Sequence, residues 1–248
     1  MRLLLINPNT TDGITELVAS RSREIAGPGV EVRAVTGRFG ARYVASRAAY
    51  AVAGHAALDA LAEHGDGCDA ALLACFGDPG LLALKELSPI PVVGMAEASC
   101  HLACLLGSRF SIVTGGERWG PMLCEFVVAL GLGARLASVR AVAPTGADIA
   151  NDPERALALL AAACNSCAEG DGAEVVILGG AGLAGLAQRI APNVPVPVIC
   201  SLEAGLRLTL AAASLGAGKA LTGSLARTPP VPSVGLSDAL AAMLGDRA

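Results

Sequence analysis

The sequence predicts an α/β protein built from two similar lobes, each of them a parallel sheet flanked by helices. Short apolar runs alternate along the chain with longer Ala- and Leu-rich segments, a pattern typical of parallel sheets covered by helices. The pattern occurs twice, at an offset of about 105 residues, which indicates an internal repeat. The chain has 248 residues, of which 53% are hydrophobic, so each copy can bury a core of its own.

Each copy is expected to contribute four strands, because each contains four short apolar runs separated by longer helical segments. In the first copy the runs RLLLI, VEVRAVT, DAALLA and PVVG predict strands at residues 2–6, 30–36, 69–74 and 91–94. In the second copy the runs RFSIVT, RLASVRAV, EVVILG and PVIC predict strands at residues 109–114, 135–142, 174–179 and 197–200. The tail adds an expected strand at residues 219–222 and a helix at residues 233–244.

Four segments of the first copy match four segments of the second in the same order. They pair residues 2–7 with 109–114, 65–69 with 170–174, 71–75 with 176–180, and 91–94 with 197–200. The repeat predicts a first lobe of residues 1–95 plus 206–248 and a second lobe of residues 96–205. Two such lobes are expected to bring equivalent strand exits face to face. The active site is therefore expected in the cleft between them, with Cys75 on one side and Gly180 on the other.

Composition and charge argue against several classes of protein. The formal net charge is −4 and no stripe of Lys or Arg is present, so we expect no nucleic-acid partner. No apolar run reaches the ~18 residues of a membrane span, and the N-terminal run is too short for a signal peptide. We therefore expect a cytoplasmic protein without membrane contact. The eight cysteines then indicate free thiols, and the three histidines lack metal-ligand spacing, so no metal site is expected.

A cysteine lies where the third predicted strand ends. The apolar run stops at Cys75, and the turn-forming segment FGDPG follows at once. The carboxyl ends of strands in open α/β sheets are where ligands bind, so Cys75 is a candidate reactive group. A buried structural cysteine is the alternative interpretation.

Four segments carry a resemblance to a known family. INPNT at residues 6–10, ACFGDPGL at 74–81, VVGMAEAS at 92–99 and DGAEVVILG at 171–179 resemble hydantoin and allantoin racemases, within the aspartate/glutamate racemase superfamily. The resemblance covers nearly the whole chain, and the segment around Cys75 is its most specific part. It implies two α/β lobes with the active site between them, in agreement with the repeat.

The resemblance further implies proton transfer, without a cofactor, at a carbon beside a carbonyl. Two cysteines act from opposite faces of that carbon: one thiolate removes the proton and the other thiol returns one. Cys75 takes the first of these positions. A helix N-terminus beyond the strand is expected to lower the pKa of the Cys75 thiol towards neutrality. The N–H groups of Phe76 and Gly77 are expected to hold the negative charge of an enolate or carboxylate.

The chain departs from the family at the second cysteine. The family has that cysteine in a Leu-Gly-Cys-Ala-Gly context, and here Gly180 occupies its position. Three explanations stay open: another group such as Cys200 replaces it, the residue was changed deliberately, or the chemistry needs a single acid/base. If the φ angle of Gly180 is negative, restoring the thiol with Gly180→Cys is expected to speed racemisation.

Three other functions stay open. A single-cysteine decarboxylase of substituted malonates, like the arylmalonate decarboxylases of the same superfamily, needs no second base. Residues 180–185 fit the G-x-G-x-x-G pattern of dinucleotide-binding turns and are predicted to open a helix. The internal repeat explains these glycines better than a role in NAD binding does, so we expect no cofactor. A protein that binds a ligand without turning it over is the third alternative.

Further residues are expected to bind a small-molecule substrate. Asn9 and Thr10 follow the first strand, where they can contact substrate or cap the helix that starts near Thr11. In the second copy, Thr114 takes the equivalent place, and Arg118 can pair with an acidic ligand or be solvated. Ala181 and Gly182 adjoin the position of the missing cysteine and complete the expected set. The sequence does not fix the identity of the substrate, and a homo-oligomer is the general expectation.

Overall fold

The computed structural model of the chain describes residues 1–142, 152–216 and 218–245. Contacts between residues divide it into two compact units, one of Met1–Gly94 with Leu206–Ala248 and one of Met95–Gly205. Each unit contains one parallel four-stranded sheet with helices packed against it. The fold class predicted from the sequence is therefore confirmed.

The sheet of the first unit consists of β1 (Arg2–Asn7), β2 (Glu31–Thr36), β3 (Ala70–Leu73) and β4 (Val92–Gly94), in the spatial order β2-β1-β3-β4. The helices between them are α1 (Asp12–Ala26), α2 (Arg47–His64) and α3 (Leu81–Leu87). All three ladders are parallel, so the carboxyl ends of the strands lie at one edge. From β1 the chain passes to β2 on one side of the sheet, and it then crosses to β3 and β4 on the other side of β1. The strand order therefore reverses between β1 and β3, and this gap is the topological switch point.

The second unit repeats this connectivity. It comprises α4 (Met95–Leu106), β5 (Phe110–Gly115), α5 (Trp119–Ala129), β6 (Leu136–Val142), α6 (Pro153–Glu169), β7 (Val175–Gly179), α7 (Ala187–Ile190) and β8 (Val198–Cys200). Its strands have the order β6-β5-β7-β8, so the switch point lies between β5 and β7. The long helix α8 (Ser201–Ser214) contains the division at Leu206, and α9 (Asp238–Leu244) ends the described chain.

The predicted repeat is visible in the turns that lead into β3 and β7. Gly67 and Gly172, which the sequence pairs, have φ angles of +69° and +71°. The residues that enter the two strands also bond alike: the Asp69 N–H donates to the Arg2 carbonyl at 2.8 Å, and the Glu174 N–H to the Arg109 carbonyl at 2.9 Å. Equivalent backbone in both units, including the left-handed glycine, supports the sequence matching at this point.

The central strands of both sheets are buried because they are apolar on both faces. Residues 3–6 of β1 and all residues of β3 have no exposed surface, and residues 175–177 of β7 are equally buried. Continuous apolar runs of this kind are typical of parallel strands covered by helices on both sides. Ala57 and Leu61 of α2 complete the core of the first unit. Among the described residues, no helix combines the length and the apolar content that a membrane span needs.

The tail corrects one prediction. Residues 219–222 form no strand. Instead the Lys219 ammonium donates to the carbonyl oxygens of Lys85, Glu86 and Ser88, at 2.8, 2.5 and 3.0 Å. These carbonyls lie at the C-terminal end of α3, where unpaired acceptors and the negative end of the helix dipole attract a cation. The tail is therefore held by a side chain and not by a strand ladder.

The last helix is also shorter than predicted, since it begins at Asp238 and not at residue 233. Ser237 caps it, because its Oγ accepts the Leu240 N–H at 3.3 Å. The same hydroxyl donates to Asp59 Oδ1 of α2 at 2.6 Å. Arg38 holds this buried carboxylate from the other side, with nitrogen–oxygen distances of 2.8 and 2.7 Å, and thereby lowers its pKa. α2 and α9 are thus joined at Asp59.

A second carboxylate is held in the second unit, in the turn before β7. Arg140 of β6 contacts both oxygens of Asp171 at 2.7 Å, and Ser138 donates to Oδ2 at 2.6 Å. The hydrogen bonds from Arg140, followed by that from Ser138, lower the pKa of Asp171 to about 2.

This lowered pKa generates a prediction about stability in acid. A carboxylate whose pKa in the folded protein lies below the ~3.9 of an unfolded chain stabilises the fold above about pH 4, and this stabilisation is lost as the pH falls towards 2. We expect Asp171→Asn to lower the free energy of unfolding at neutral pH by about 1 kcal/mol and to flatten its decline in acid. Urea denaturation at a series of pH values measures both effects. Asp66→Asn, at the exposed matching position of the first copy, should change the free energy by less than about 0.5 kcal/mol.

Candidate active site

The predicted site residues flank the switch points of the two sheets. In the first unit, Asn9 lies just beyond the end of β1 and Cys75 two residues beyond the end of β3. In the second unit, Thr114 lies near the end of β5 and Gly180 immediately beyond β7. Ligands of open α/β sheets bind outside the carboxyl ends of the strands at such points. Each sheet therefore presents its candidate residues at the edge where binding is expected.

Cys75 begins a turn of unusual backbone geometry, residues 75–80, which we name the Cys75 turn. Gly77, Asp78 and Gly80 have φ angles of +113°, +55° and +77°. Asp78 is the one non-glycine residue with positive φ in the described part of the chain. The Asp78 N–H donates to the Cys75 carbonyl at 2.9 Å and closes the turn before α3 begins. A non-glycine residue with positive φ, as at Asp78, is uncommon, and such residues are concentrated at functional sites.

The Cys75 thiol is buried, with 8% of the residue exposed. Burial, and next the negative charge of Asp78, raise the pKa of the Cys75 thiol to about 12. The expectation that a helix N-terminus lowers this pKa towards neutrality is therefore wrong, because desolvation of the sulfur outweighs it. At neutral pH the group is a thiol, which can donate a proton.

A network of side chains fixes the amide of Asn9 at the end of β1. Its Oδ1 accepts from the Thr11 N–H at 2.9 Å and from Asn7 Nδ2 at 3.0 Å. Asn7 Nδ2 also donates to Thr15 Oγ1 at 2.9 Å. Because a backbone N–H can only donate, the oxygen of Asn9 must face Thr11, and its NH₂ group is left to donate elsewhere. The Asn9 side chain thus accepts a hydrogen bond from the backbone of Thr11, the residue that precedes α1. The Thr11 side chain itself makes no capping hydrogen bond to the helix.

Thr10 and Phe76 complete the predicted residues of the first unit. Thr10 is half-buried, and its N–H donates to the Ala41 carbonyl at 3.2 Å. Phe76 is buried, with 5% exposed, inside the Cys75 turn. The Gly77 carbonyl in the same turn accepts a side-chain hydrogen bond, so this peptide is held in place.

Position 180 has space for a side chain, but its backbone conformation does not suit a residue that has one. A Cβ atom added there would meet only the Leu183 side chain, at the ordinary distance of 3.7 Å. The φ angle of Gly180 is +143°, however, which L-residues rarely adopt. Its N–H donates to Ser201 Oγ at 3.2 Å and so helps to hold this conformation. The condition under which Gly180→Cys was expected to restore racemisation is therefore not met.

The residues after Gly180 correct another prediction. Ala181 and Gly182 are half-buried and belong to a single 3-10 turn, Ala181–Leu183, and no longer helix opens there. A dinucleotide-binding turn places the pyrophosphate at the N-terminus of a long helix, so this geometry does not support the NAD fingerprint. Thr114 is buried, while Arg118 is exposed at the position before α5.

Cys200 lies at the end of β8, next to β7, and 6% of it is exposed. All eight cysteines are free, and Cys164 and Cys167 are fully buried in α6, in agreement with ordinary packing. Among the described residues, no group of three or more His, Cys, Asp or Glu side chains could hold a metal ion.

Sequence reasoning missed two residues of α2 that contact the Cys75 turn. The Tyr50 hydroxyl donates to the Gly77 carbonyl at 2.7 Å. Gly54 approaches the backbone of Gly80, where an added Cβ would lie 3.2 Å from the Gly80 nitrogen. A glycine inside an Ala-rich helix costs about 1 kcal/mol relative to alanine, so Gly54 was a signal that the sequence offered. Tyr50 carried no such signal, because nothing in its helical spacing points to a distant turn.

The chain matches known proteins over most of its length. The family model described as Asp/Glu/Hydantoin racemase covers residues 3–209. Hydantoin racemase from Paenarthrobacter aurescens is 35% identical over 218 residues, which are 87% of this chain and 92% of that protein. The allantoin racemase structure from Pseudomonas fluorescens has a TM-score of 0.90 and 32% identity, covering 95% of this chain and 100% of that one.

A structure of an arylmalonate decarboxylase mutant is more distant, with a TM-score of 0.66 and 17% identity over 87% of this chain. That likeness concerns the fold alone and does not favour the decarboxylase alternative. The match to the family model and the identity with a hydantoin racemase lead to one conclusion: the chain belongs to the Asp/Glu/Hydantoin racemase family.

Proposed function

We propose that this protein is a cofactor-independent racemase that transfers protons at the carbon beside a carbonyl of a hydantoin-type substrate, with Cys75 as an acid/base. The observation that carries the proposal is the placement of Cys75 at the switch point of its sheet, on a strained turn. The relatives support the choice of a hydantoin-type substrate, since they include a hydantoin racemase and an allantoin racemase.

Burial of the thiol supports the donating step. With its pKa raised to about 12, Cys75 carries a proton at neutral pH. When the electron pair of an enolate takes that proton, the S–H bond breaks, a C–H bond forms, and a thiolate is left. In the opposite direction the thiolate takes the proton from the carbon, and the C–H electron pair moves into the carbonyl. The free NH₂ group of Asn9 is suited to donate to the oxygen on which that charge develops.

Racemisation also needs an acid/base for the opposite face of the carbon, and Gly180 has none. We assign this role to Cys200, which ends the strand next to β7. The hydrogen bond from the Gly180 N–H to Ser201 Oγ connects position 180 to the residue that follows Cys200. A binding protein without turnover, or a racemase variant inactivated by the glycine, are outcomes that the experiments below separate. A homo-oligomer stays a prediction.

The first prediction concerns Cys75. We expect Cys75→Ser to slow exchange of the carbon proton by about 10² to 10⁴ in the enantiomer whose proton faces Cys75, because a serine hydroxyl is a far weaker acid/base at this position. The measurement is loss of the C5 proton signal of each enantiomer of 5-isobutylhydantoin in deuterated buffer. Cys124→Ser is the control, since Cys124 is exposed and lies outside the candidate site. Unaltered exchange in folded Cys75→Ser would remove the assignment.

The second prediction concerns Cys200. We expect Cys200→Ser to abolish net change in optical rotation while exchange still proceeds from the enantiomer whose proton faces Cys75. The reason is that, without the acid/base on one face of the carbon, Cys75 still removes a proton from the other face and returns one to it. Optical rotation and deuterium content are followed on the same samples. Racemisation at the parent rate in this variant would show that another group serves the second face.

The third prediction concerns Gly180. We expect Gly180→Cys to be destabilised by about 1–3 kcal/mol, because its backbone lies outside the region that L-residues favour. We also expect no gain in racemisation rate. Gly180→Ala carries the same strain without a thiol, so thermal denaturation of the two variants measures the backbone effect alone. A Gly180→Cys protein that matches the parent in stability and racemises faster would contradict the prediction.

A further inference from the structure

Tyr50 and Gly54, one helical turn apart on α2, both contact the Cys75 turn. We infer that Tyr50 is a positioning residue for Cys75: its hydroxyl holds the turn so that the thiol stays where it can exchange a proton with the substrate carbon. The inference rests on the proposed acid/base role of Cys75 and names the contact that fixes the position of the thiol.

The Tyr50 hydroxyl contacts the backbone in the middle of the turn. It donates to the Gly77 carbonyl at 2.7 Å and lies 3.3 Å from the Asp78 carbonyl. Burial, and next the negative charge of Asp78, raise the pKa of Tyr50 to about 12. The hydroxyl therefore keeps its proton and remains a donor throughout the neutral range. The Gly77 carbonyl that it serves is buried, so the loss of this donor would be costly.

Gly54 brings the helix itself against the turn. A Cβ atom on Gly54 would lie 3.2 Å from the Gly80 nitrogen, and one on Gly80 would lie 2.9 Å from the Gly54 Cα. No side chain fits between the two backbones. The turn is thus prevented from moving towards α2, while Tyr50 keeps it from moving away.

The end of β4 also packs against the turn. A Cβ atom on Gly94 would overlap the Asp78 carboxyl group and would lie 2.7 Å from Leu81 Cδ2. The Asp78 side chain is therefore packed directly on the end of β4. Asp78 also has the strained φ angle of +55°, so the conformation of this residue is imposed by its surroundings.

This confinement matters for proton transfer because the reaction is sensitive to distance. A misplacement of about 1 Å can cost on the order of 10² in rate. If the Tyr50 hydroxyl is removed, the Gly77 peptide loses its donor and the strained turn can relax. The thiol is then displaced, although the groups that bind substrate are unchanged.

The test is Tyr50→Phe, which removes the hydroxyl and keeps the ring. In the deuterium assay with 5-isobutylhydantoin, we expect kcat for exchange to fall about 10- to 100-fold with KM nearly unchanged. Ser46→Ala is the matched control. Ser46 caps the same helix, since its Oγ accepts the Ala49 N–H at 3.2 Å, and among the described residues it makes no hydrogen bond to the turn. The control should lower the Tm without lowering kcat.

A second variant and a second measurement complete the test. Gly54→Ala should also lower kcat, because its methyl group would press on the Gly80 backbone. Amide hydrogen exchange over residues 76–80, followed by mass spectrometry, should become faster in Tyr50→Phe and stay unchanged in Ser46→Ala. This readout does not depend on substrate. If the parent protein exchanges no substrate proton, the proposed function fails, while faster amide exchange still supports the holding of the turn by Tyr50.

Two results would overturn the inference. One is a Tyr50→Phe protein whose kcat and amide exchange equal those of the parent. The other is a loss of kcat no larger than that of Ser46→Ala at the same change in Tm, because stability alone would then explain it.

Discussion

The geometry of the candidate site depends on one constraint, the close approach of backbones around the Cys75 turn. Gly54 of α2 leaves no room for a Cβ atom at Gly80, and the Asp78 carboxyl group leaves none at Gly94 of β4. These neighbours enclose a turn in which Gly77 and Gly80 adopt positive φ angles readily and Asp78, which has a side chain, is held at one. The same α2 is joined through Asp59 to Arg38 and Ser237, so the support of the turn extends to the last helix of the chain.

This enclosure also sets the chemistry of the thiol. The strand and the turn bury the sulfur beside the Asp78 carboxylate, and both effects disfavour a thiolate. At neutral pH such a cysteine is protonated, so it enters the reaction as the group that holds a proton. The proposed mechanism uses this property, since one of two acid/base groups must start protonated. Asn9, whose oxygen is occupied by Thr11 and Asn7, has a donating NH₂ group that suits an enolate oxygen.

The backbone at position 180 is suited to glycine. Its φ angle is +143°, and its N–H donates to Ser201 Oγ. A cysteine placed there would have to adopt a conformation that L-residues rarely adopt. The proposed mechanism instead takes its second thiol from Cys200, on the strand next to β7.

The sequence by itself determined the two parallel sheets, their eight strands to within a residue or two, and the placement of Cys75 at a strand exit. These features follow from local apolar runs and from a repeat, which are properties of neighbouring residues. Tertiary structure alone decided the pKa of the Cys75 thiol, the φ angle of Gly180 and the contacts of Tyr50. It also decided that Lys219 binds the end of α3 and forms no strand. Desolvation, backbone strain and hydrogen bonds between distant residues arise only when segments far apart in the chain are packed together.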